Sequence, residues 1–207
     1  WLGLDSAVQL SHASPTPSSS KSTSFGLRTS GQLTSQLVSG GAVPGRAAAG
    51  FGMRVLYHSQ RPKPEVEARY AARQCSLDEL LQQADFVCLT VPLSASTEGL
   101  IGARELALMK PEAILVNISR GRVVDEPALV DALRAKRIRG AGLDVFVQEP
   151  LSTDSPLLQL DNVVATPHIG SATQETRQAM ARCAVDNLLS ALAGERPANL
   201  VNEVCRS

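Results

Sequence analysis

A chain of 207 residues with 43% hydrophobic content can bury a sizeable core, most naturally in one large domain. Twenty Lys and Arg balance twenty Asp and Glu, so no global field selects nucleic acid or an anionic membrane, and neither partner is expected. Function has to come from a local site.

Cys75, Cys88, Cys183 and Cys205 show neither C-x-x-C spacing nor short-loop pairing, which argues against a zinc site and against a secreted disulfide framework. No apolar run approaches the roughly 20 residues of a membrane span, and no charged segment leads into an apolar one as in a secretory signal. The expectation is a soluble cytoplasmic protein with reduced thiols and no metal.

The composition changes at about residue 50. Residues 1–49 hold 11 serines and a single acid, Asp5, in low-complexity runs such as PTPSSSKSTS, with no sustained period of 2 or 3.6. Such a segment is expected to lack stable packing. The other 19 acids lie from Glu65 onward, and from Met53 apolar strands alternate with amphipathic helices.

In chain order, MRVLYH (53–58) reads as a strand and SLDELLQQ (76–83) as a helix opened by a Ser76/Glu79 capping box. DFVCLTV (85–91) is the next strand, a short helix follows near Ala103 to Met109, and AILVNIS (113–119) is a third strand. A helix from Asp125 to about Lys136 tolerates Pro127 in its first turn. Strands RGAGLDVF (139–146) and NVVATPH (162–168) come next. The apolar runs are continuous, as in strands covered on both faces of a parallel sheet.

A long helix is expected after Ser171, with Gln174 completing a second capping box and Gly194 and Pro197 ending it. Its stripe of Ala179, Met180, Cys183, Ala184, Leu188, Ala191 and Leu192 is expected to pack on the sheet. The fold class is α/β: a partial doubly wound parallel sheet with a long C-terminal helix, preceded by an aberrant N-terminal segment.

Arg120, Asp144 and His168 each fall at or just past the carboxyl end of a strand, 24 residues apart, about one strand-helix repeat. In open parallel sheets that edge holds the ligand, so the three should face one crevice, with Glu149 joining from the loop after Phe146. Singly, each would read as an ordinary surface residue; together they read as a site. An arginine fork matches a carboxylate, and a histidine paired with a carboxylate is a proton donor near neutral pH. Such a set suits reduction of a 2-oxo acid.

NISRGRVVDEPAL, GLDVFVQEP and VVATPHIGSAT resemble, in order and spacing, the signatures of the D-isomer-specific 2-hydroxyacid dehydrogenases. The likeness is strongest to the glyoxylate/hydroxypyruvate reductase branch, which includes 2-ketogluconate reductases, and it runs from about Gly50 to Asn202. The resemblance implies an NAD(P)-dependent oxidoreductase with a Rossmann-like domain, a homodimer when intact. It implies that Arg120 holds the substrate carboxylate and keto oxygen, that His168 protonates that oxygen, and that Glu149 orients His168 and stabilises its imidazolium. Asp144 would contact the nicotinamide end of the cofactor, with Pro92, Ile118 and Gly170 lining the cleft.

NAD-preferring sites of this fold place an acid after the second strand to bind the ribose 2′-hydroxyl. Here the turn is His58, Ser59, Gln60, Arg61, Pro62, Lys63, with no acid before Glu65. Arg61 and Lys63 can instead meet a 2′-phosphate, with Ser59 donating a hydrogen bond, so NADP(H) is expected ahead of NAD(H).

Upstream, Gly40, Gly41 and Gly45 follow no convincing strand, and Pro44 interrupts the helix that should follow a phosphate loop. The domain organisation is therefore read as an unmatched segment over 1–49, a Rossmann-like domain over 50–170 lacking its first strand and glycine loop, and a C-terminal helix with a remnant of a substrate lobe over 171–207. Residues 1–49 are expected to be out-of-frame or mis-spliced translation, with a Ser-rich transit peptide as the alternative. Two functions follow: a 2-hydroxyacid dehydrogenase acting on glyoxylate, hydroxypyruvate or 2-ketogluconate, or an inactive or partner-binding remnant of one.

Overall fold

Continuous runs of Val, Ile and Leu can be covered only if helices lie on both faces of the strands they form, and this is the arrangement adopted. The computed structural model describes residues 34–38 and 50–201. Among them run seven parallel strands: β1 (Thr34–Val38), β2 (Arg54–His58), β3 (Arg73–Gln74), β4 (Phe86–Leu89), β5 (Ile114–Asn117), β6 (Gly140–Leu143) and β7 (Val163–Ala165). Their spatial order is β3-β2-β1-β4-β5-β6-β7. The order reverses between β1 and β4, which places the ligand crevice of such a sheet at the carboxyl ends of those strands. The helices are α1 (Pro64–Tyr70), α2 (Leu77–Gln83), α3 (Ala103–Leu108), α4 (Glu126–Arg134) and α5 (Gln174–Leu192).

The first strand corrects the sequence reading, which had the domain begin at residue 50 without it. Thr34–Val38 pairs with Arg54–His58 on one side, and Ser35–Val38 pairs with Phe86–Leu89 on the other. The reason lies in the main chain. Without β1, the facing edges of β2 and β4 would leave rows of backbone N–H and C=O groups without partners in mid-sheet. TSQLV carries no continuous apolar run, so only that pairing reveals it. The glycines of GGAVPG lie outside the described residues.

The main core gathers Leu80 and Leu81 of α2, Leu106 of α3, and Leu129 and Leu133 of α4 against Val87, Leu89, Leu115 and Leu143 of the sheet. Val55, Tyr57 and Ala72 form a smaller cluster beneath the β2 end. Local chemistry sets the helix starts: Ser76 accepts from the Glu79 N–H at 3.2 Å and Asp125 from the Ala128 N–H at 3.1 Å. The Glu79 carboxylate turns to Arg73 and Gln83, so the hydrogen bonds found make only the Ser76 half of that capping box. Cys75, Cys88 and Cys183 are free thiols, and burial pushes the Cys88 thiol up to about 11. Cys205 lies outside the described residues.

Helix α5 departs from expectation twice. Its N-cap is Thr173, which accepts from the Thr176 N–H at 3.2 Å, two residues beyond Ser171. Its apolar stripe does not pack on the sheet: no residue of α5 is buried, and Met180, Leu188 and Leu192 are 59%, 58% and 76% exposed. Helical periodicity shows that a helix has an apolar face; it carries no information about what covers it. Gly194, at φ 75°, takes the left-handed conformation that ends the helix, as expected. Among the described residues no helix is long and apolar enough to cross a membrane.

Candidate active site and cofactor cleft

Three loops at the carboxyl edge of the sheet carry the polar residues. The loop after β5 is tied by Asn117, which is 1% exposed. Its Oδ1 accepts from the Ser119 N–H at 3.0 Å and the Ser119 hydroxyl at 2.8 Å, and its Nδ2 donates to the Arg120 carbonyl at 3.0 Å. Sequence reasoning missed Asn117. The available signal was a polar side chain closing the run ILVN, because a buried amide has to find partners. The exposed Arg120 guanidinium donates through Nη1 to the Ser119 carbonyl at 2.6 Å.

The next residue lets two loops meet. A Cβ at Gly121 would lie 1.9 Å from the carbonyl carbon of Phe146 and 2.4 Å from the nitrogen of Val147, closer than atoms can come. Only glycine allows the Arg120 loop to lie against the chain that leads to Glu149.

Glu149 and His168 form a direct pair, with His168 Nδ1 2.8 Å from Glu149 Oε2. The other carboxylate oxygen accepts from the Phe146 N–H at 3.0 Å, which fixes the acid before the histidine reaches it. With Nδ1 donating to Glu149, the opposite ring nitrogen is left to serve a substrate. Both side chains border a cavity of about 630 Å³ with an apolar wall that includes Phe146, Leu151 and Leu158. The hydrogen bond from His168, then that from Phe146, hold the Glu149 carboxyl below its ordinary value; the charges of His168 and Arg120 act in the same direction.

His168 sits at φ 53°, a left-handed conformation that costs a non-glycine residue about 1–3 kcal/mol. Asp144 compensates. Its Oδ1 accepts from the Thr166 hydroxyl at 2.5 Å and the Ile169 N–H at 2.9 Å, and its Oδ2 from the Gly170 N–H at 3.0 Å. Burial raises the Asp144 carboxyl, but these three bonds and the His168 charge outweigh it and leave the group below its ordinary value. Asp144 thus holds the loop on both sides of His168, a role the sequence reading did not give it.

Both carboxyls are depressed in the folded chain, so their contribution is complete above the ordinary values of 3.8 and 4.5 and is lost as pH falls through the lower folded values. The Asp144 side-chain carboxyl signal is therefore expected to titrate with its midpoint below pH 3.8. An NMR titration with its midpoint above pH 3.8 would contradict the Asp144 clamp.

The expected cofactor residues separate. Ser59, Arg61, Lys63 and Pro92 line one cavity of about 420 Å³, bounded by the turn after β2 and the loop after β4. Ser59 donates its hydroxyl proton to the Arg61 carbonyl at 2.5 Å, so that proton is already engaged. Ile118 lies on the β5 loop, 51% exposed, and the Gly170 N–H is taken by Asp144. Among the described residues no group of His, Cys, Asp and Glu could hold a metal ion.

A parallel sheet of this strand order, with Arg120, Glu149 and His168 at its carboxyl ends, is a Rossmann-like fold of the NAD-binding type. The chain belongs to the D-isomer specific 2-hydroxyacid dehydrogenase family, whose NAD binding domain it matches over residues 39–170. That match starts 11 residues before Gly50 and takes in Gly40, Gly41 and Gly45.

A protein of Pectobacterium carotovorum subsp. carotovorum (strain PC1) named glyoxylate/hydroxypyruvate reductase B is 61% identical over 161 residues, covering 78% of this chain and 50% of its own length. A crystal structure of a Thermus thermophilus protein superposes with a TM-score of 0.77 at 47% identity, over 82% of this chain and 54% of that one. The structure of a glyoxylate reductase from Paecilomyes thermophila gives 0.71 at 38% identity, over 79% and 51%. The chain spans about half the length of the curated relatives it matches.

Proposed function

We propose that the chain carries the catalytic and cofactor-binding half of an NADPH-dependent reductase of small 2-oxo acids: glyoxylate, hydroxypyruvate or 2-ketogluconate. The observation that carries this reading is the 2.8 Å pair of His168 and Glu149. The exposed Arg120 lies near enough to depress the same Glu149 carboxyl. In this reading Arg120 receives the substrate carboxylate, and His168 gives its proton to the keto oxygen as that oxygen gains charge. Glu149 holds the imidazolium in place, and Asp144 fixes the loop that presents it. NADPH, when bound, supplies the hydride that goes to the substrate's C2.

The 420 Å³ cavity fits such a cofactor by the chemistry of its rim. Arg61 and Lys63 stand on a turn that has no acid, which suits a 2′-phosphate better than a free 2′-hydroxyl. Arg61→Ala combined with Lys63→Ala is expected to weaken NADPH binding by about tenfold or more and NADH binding by less than about threefold. Fluorescence titration checks this, and equal losses would remove the reason for preferring NADP.

Spectrophotometric NADPH oxidation by the 207-residue chain with each of the three acids tests the main proposal. Turnover with at least one acid would support the proposal; none above the acid-free blank would favour the alternative, an inactive or partner-binding remnant. The uncovered stripe of α5 speaks for that alternative. A cytoplasmic location and, for the intact family member, a homodimer belong to the same proposal.

A further inference from the structure

A buried hydroxyl behind the cofactor turn remains without a role in this chemistry. Tyr57, the fourth residue of β2, is 2% exposed, so its phenol needs partners inside the protein. It finds two, both on the segment that closes the turn. The phenol oxygen accepts from the Lys63 N–H at 2.8 Å, and its proton goes to the Glu67 carboxylate on α1. Burial, then the bond to Glu67, push the phenol above its ordinary value of 10.0, so it stays protonated and donates.

The rest of the turn is tied as well. Gln74 Nε2 donates to the Ser59 carbonyl at 3.0 Å, and His58 Nδ1 lies 3.1 Å from the Cys75 carbonyl. The turn from His58 to Lys63 is therefore pinned at both ends.

The position of Glu67 gives the tyrosine hydroxyl its importance. Glu67 lies on α1 four residues after Lys63, the N-cap residue of that helix, whose carbonyl accepts from the Glu67 N–H at 3.0 Å. Its carboxylate is held by Tyr57. Among the described residues neither Arg61 nor Lys63 takes part in an ion pair, and both side chains line the 420 Å³ cavity.

We propose that the Tyr57 hydroxyl is the positioning group for cofactor discrimination: by engaging the Glu67 carboxylate and the Lys63 N–H, it keeps Lys63 and Arg61 unneutralised and fixed as a pair for a phosphate monoester. This rests on the 2′-phosphate reading of the turn. A phenylalanine would fill the same space but would release Glu67 to pair with Lys63, removing charge from the site and order from the turn together.

The test uses 2′,5′-ADP and 5′-AMP as probes, titrated into the 207-residue chain and its variants by NMR, which reads weak binding. The unaltered chain is expected to bind 2′,5′-ADP about tenfold more tightly than 5′-AMP. Tyr57→Phe is expected to shrink that ratio to about threefold or less by loss of 2′,5′-ADP affinity, with 5′-AMP affinity nearly unchanged. Tyr57→Phe with Glu67→Gln, which cannot neutralise Lys63, is expected to recover most of the ratio.

Absence of any preference in the unaltered chain would sink the 2′-phosphate reading and this proposal with it. A preference that survives Tyr57→Phe would overturn the proposal alone. Equal loss of both probes without recovery in the double variant would make Tyr57 a structural residue only, and would also overturn it. Hydrogen exchange on the unaltered chain adds a check that needs no variant: the Lys63 amide must be protected, and exchange at the rate of an open amide refutes the proposal.

Discussion

His168→Ala is expected to lower the rate of 2-oxo-acid reduction by about 10²-fold or more while leaving NADPH affinity within about twofold. The imidazole is the member of the Glu149 pair whose chemistry suits giving a proton to a developing alkoxide. Its Nδ1 is engaged by Glu149 at 2.8 Å, and the cofactor cavity rimmed by Arg61 and Lys63 has no contribution from it. Turnover and binding therefore separate. Single-turnover rates compared with NADPH titrations check this, and equal losses in both would reassign His168 to cofactor binding.

Glu149→Gln keeps the shape of the side chain but loses the charge that receives the His168 Nδ1 proton at 2.8 Å, so the proposed reduction is expected to slow while NADPH affinity stays within about twofold. An unchanged rate would make Glu149 a structural loop residue. Arg120→Lys is expected to act chiefly on substrate affinity, because lysine keeps the charge and loses the bidentate fork.

The other large effect is on the backbone. Gly121→Ala is expected to destabilise the chain by about 3 kcal/mol and to displace the Arg120 loop. The new methyl would fall 1.9 Å from the Phe146 carbonyl carbon and 2.0 Å from its oxygen, and both belong to main chain that cannot rotate aside. Relief requires the β5 and β6 loops to move apart, which carries Arg120 away from Glu149. A drop in urea midpoint together with a rise in substrate KM is the expected signature. A variant with unchanged midpoint and KM would show that the loops tolerate the separation.

Much of this arrangement was legible in the residues. The continuous apolar runs placed β2, β4, β5, β6 and β7, and Ser76 and Asp125 marked two helix starts, because burial on both faces and unsatisfied helix termini leave local signatures. The repeat of 24 residues already points Arg120, Asp144 and His168 to the same sheet edge. Three motifs pointed to the family, to which the chain does belong.

Tertiary structure decided the rest. TSQLV became the central strand β1 because two neighbours needed backbone partners, and pairing across the sheet is invisible to a pattern of side chains. The α5 stripe was sound as periodicity, yet it has no partner among the described residues, since a local pattern cannot name its covering surface. The hold of Asp144 on the His168 loop, and the parts played by Asn117, Gly121 and Tyr57, emerged only when distant segments met. Sequence determines which stretches must be buried and which residues can do chemistry. Which donor faces which acceptor is settled by packing, because a hydrogen bond depends on distances of a few tenths of an ångström between residues far apart in the chain.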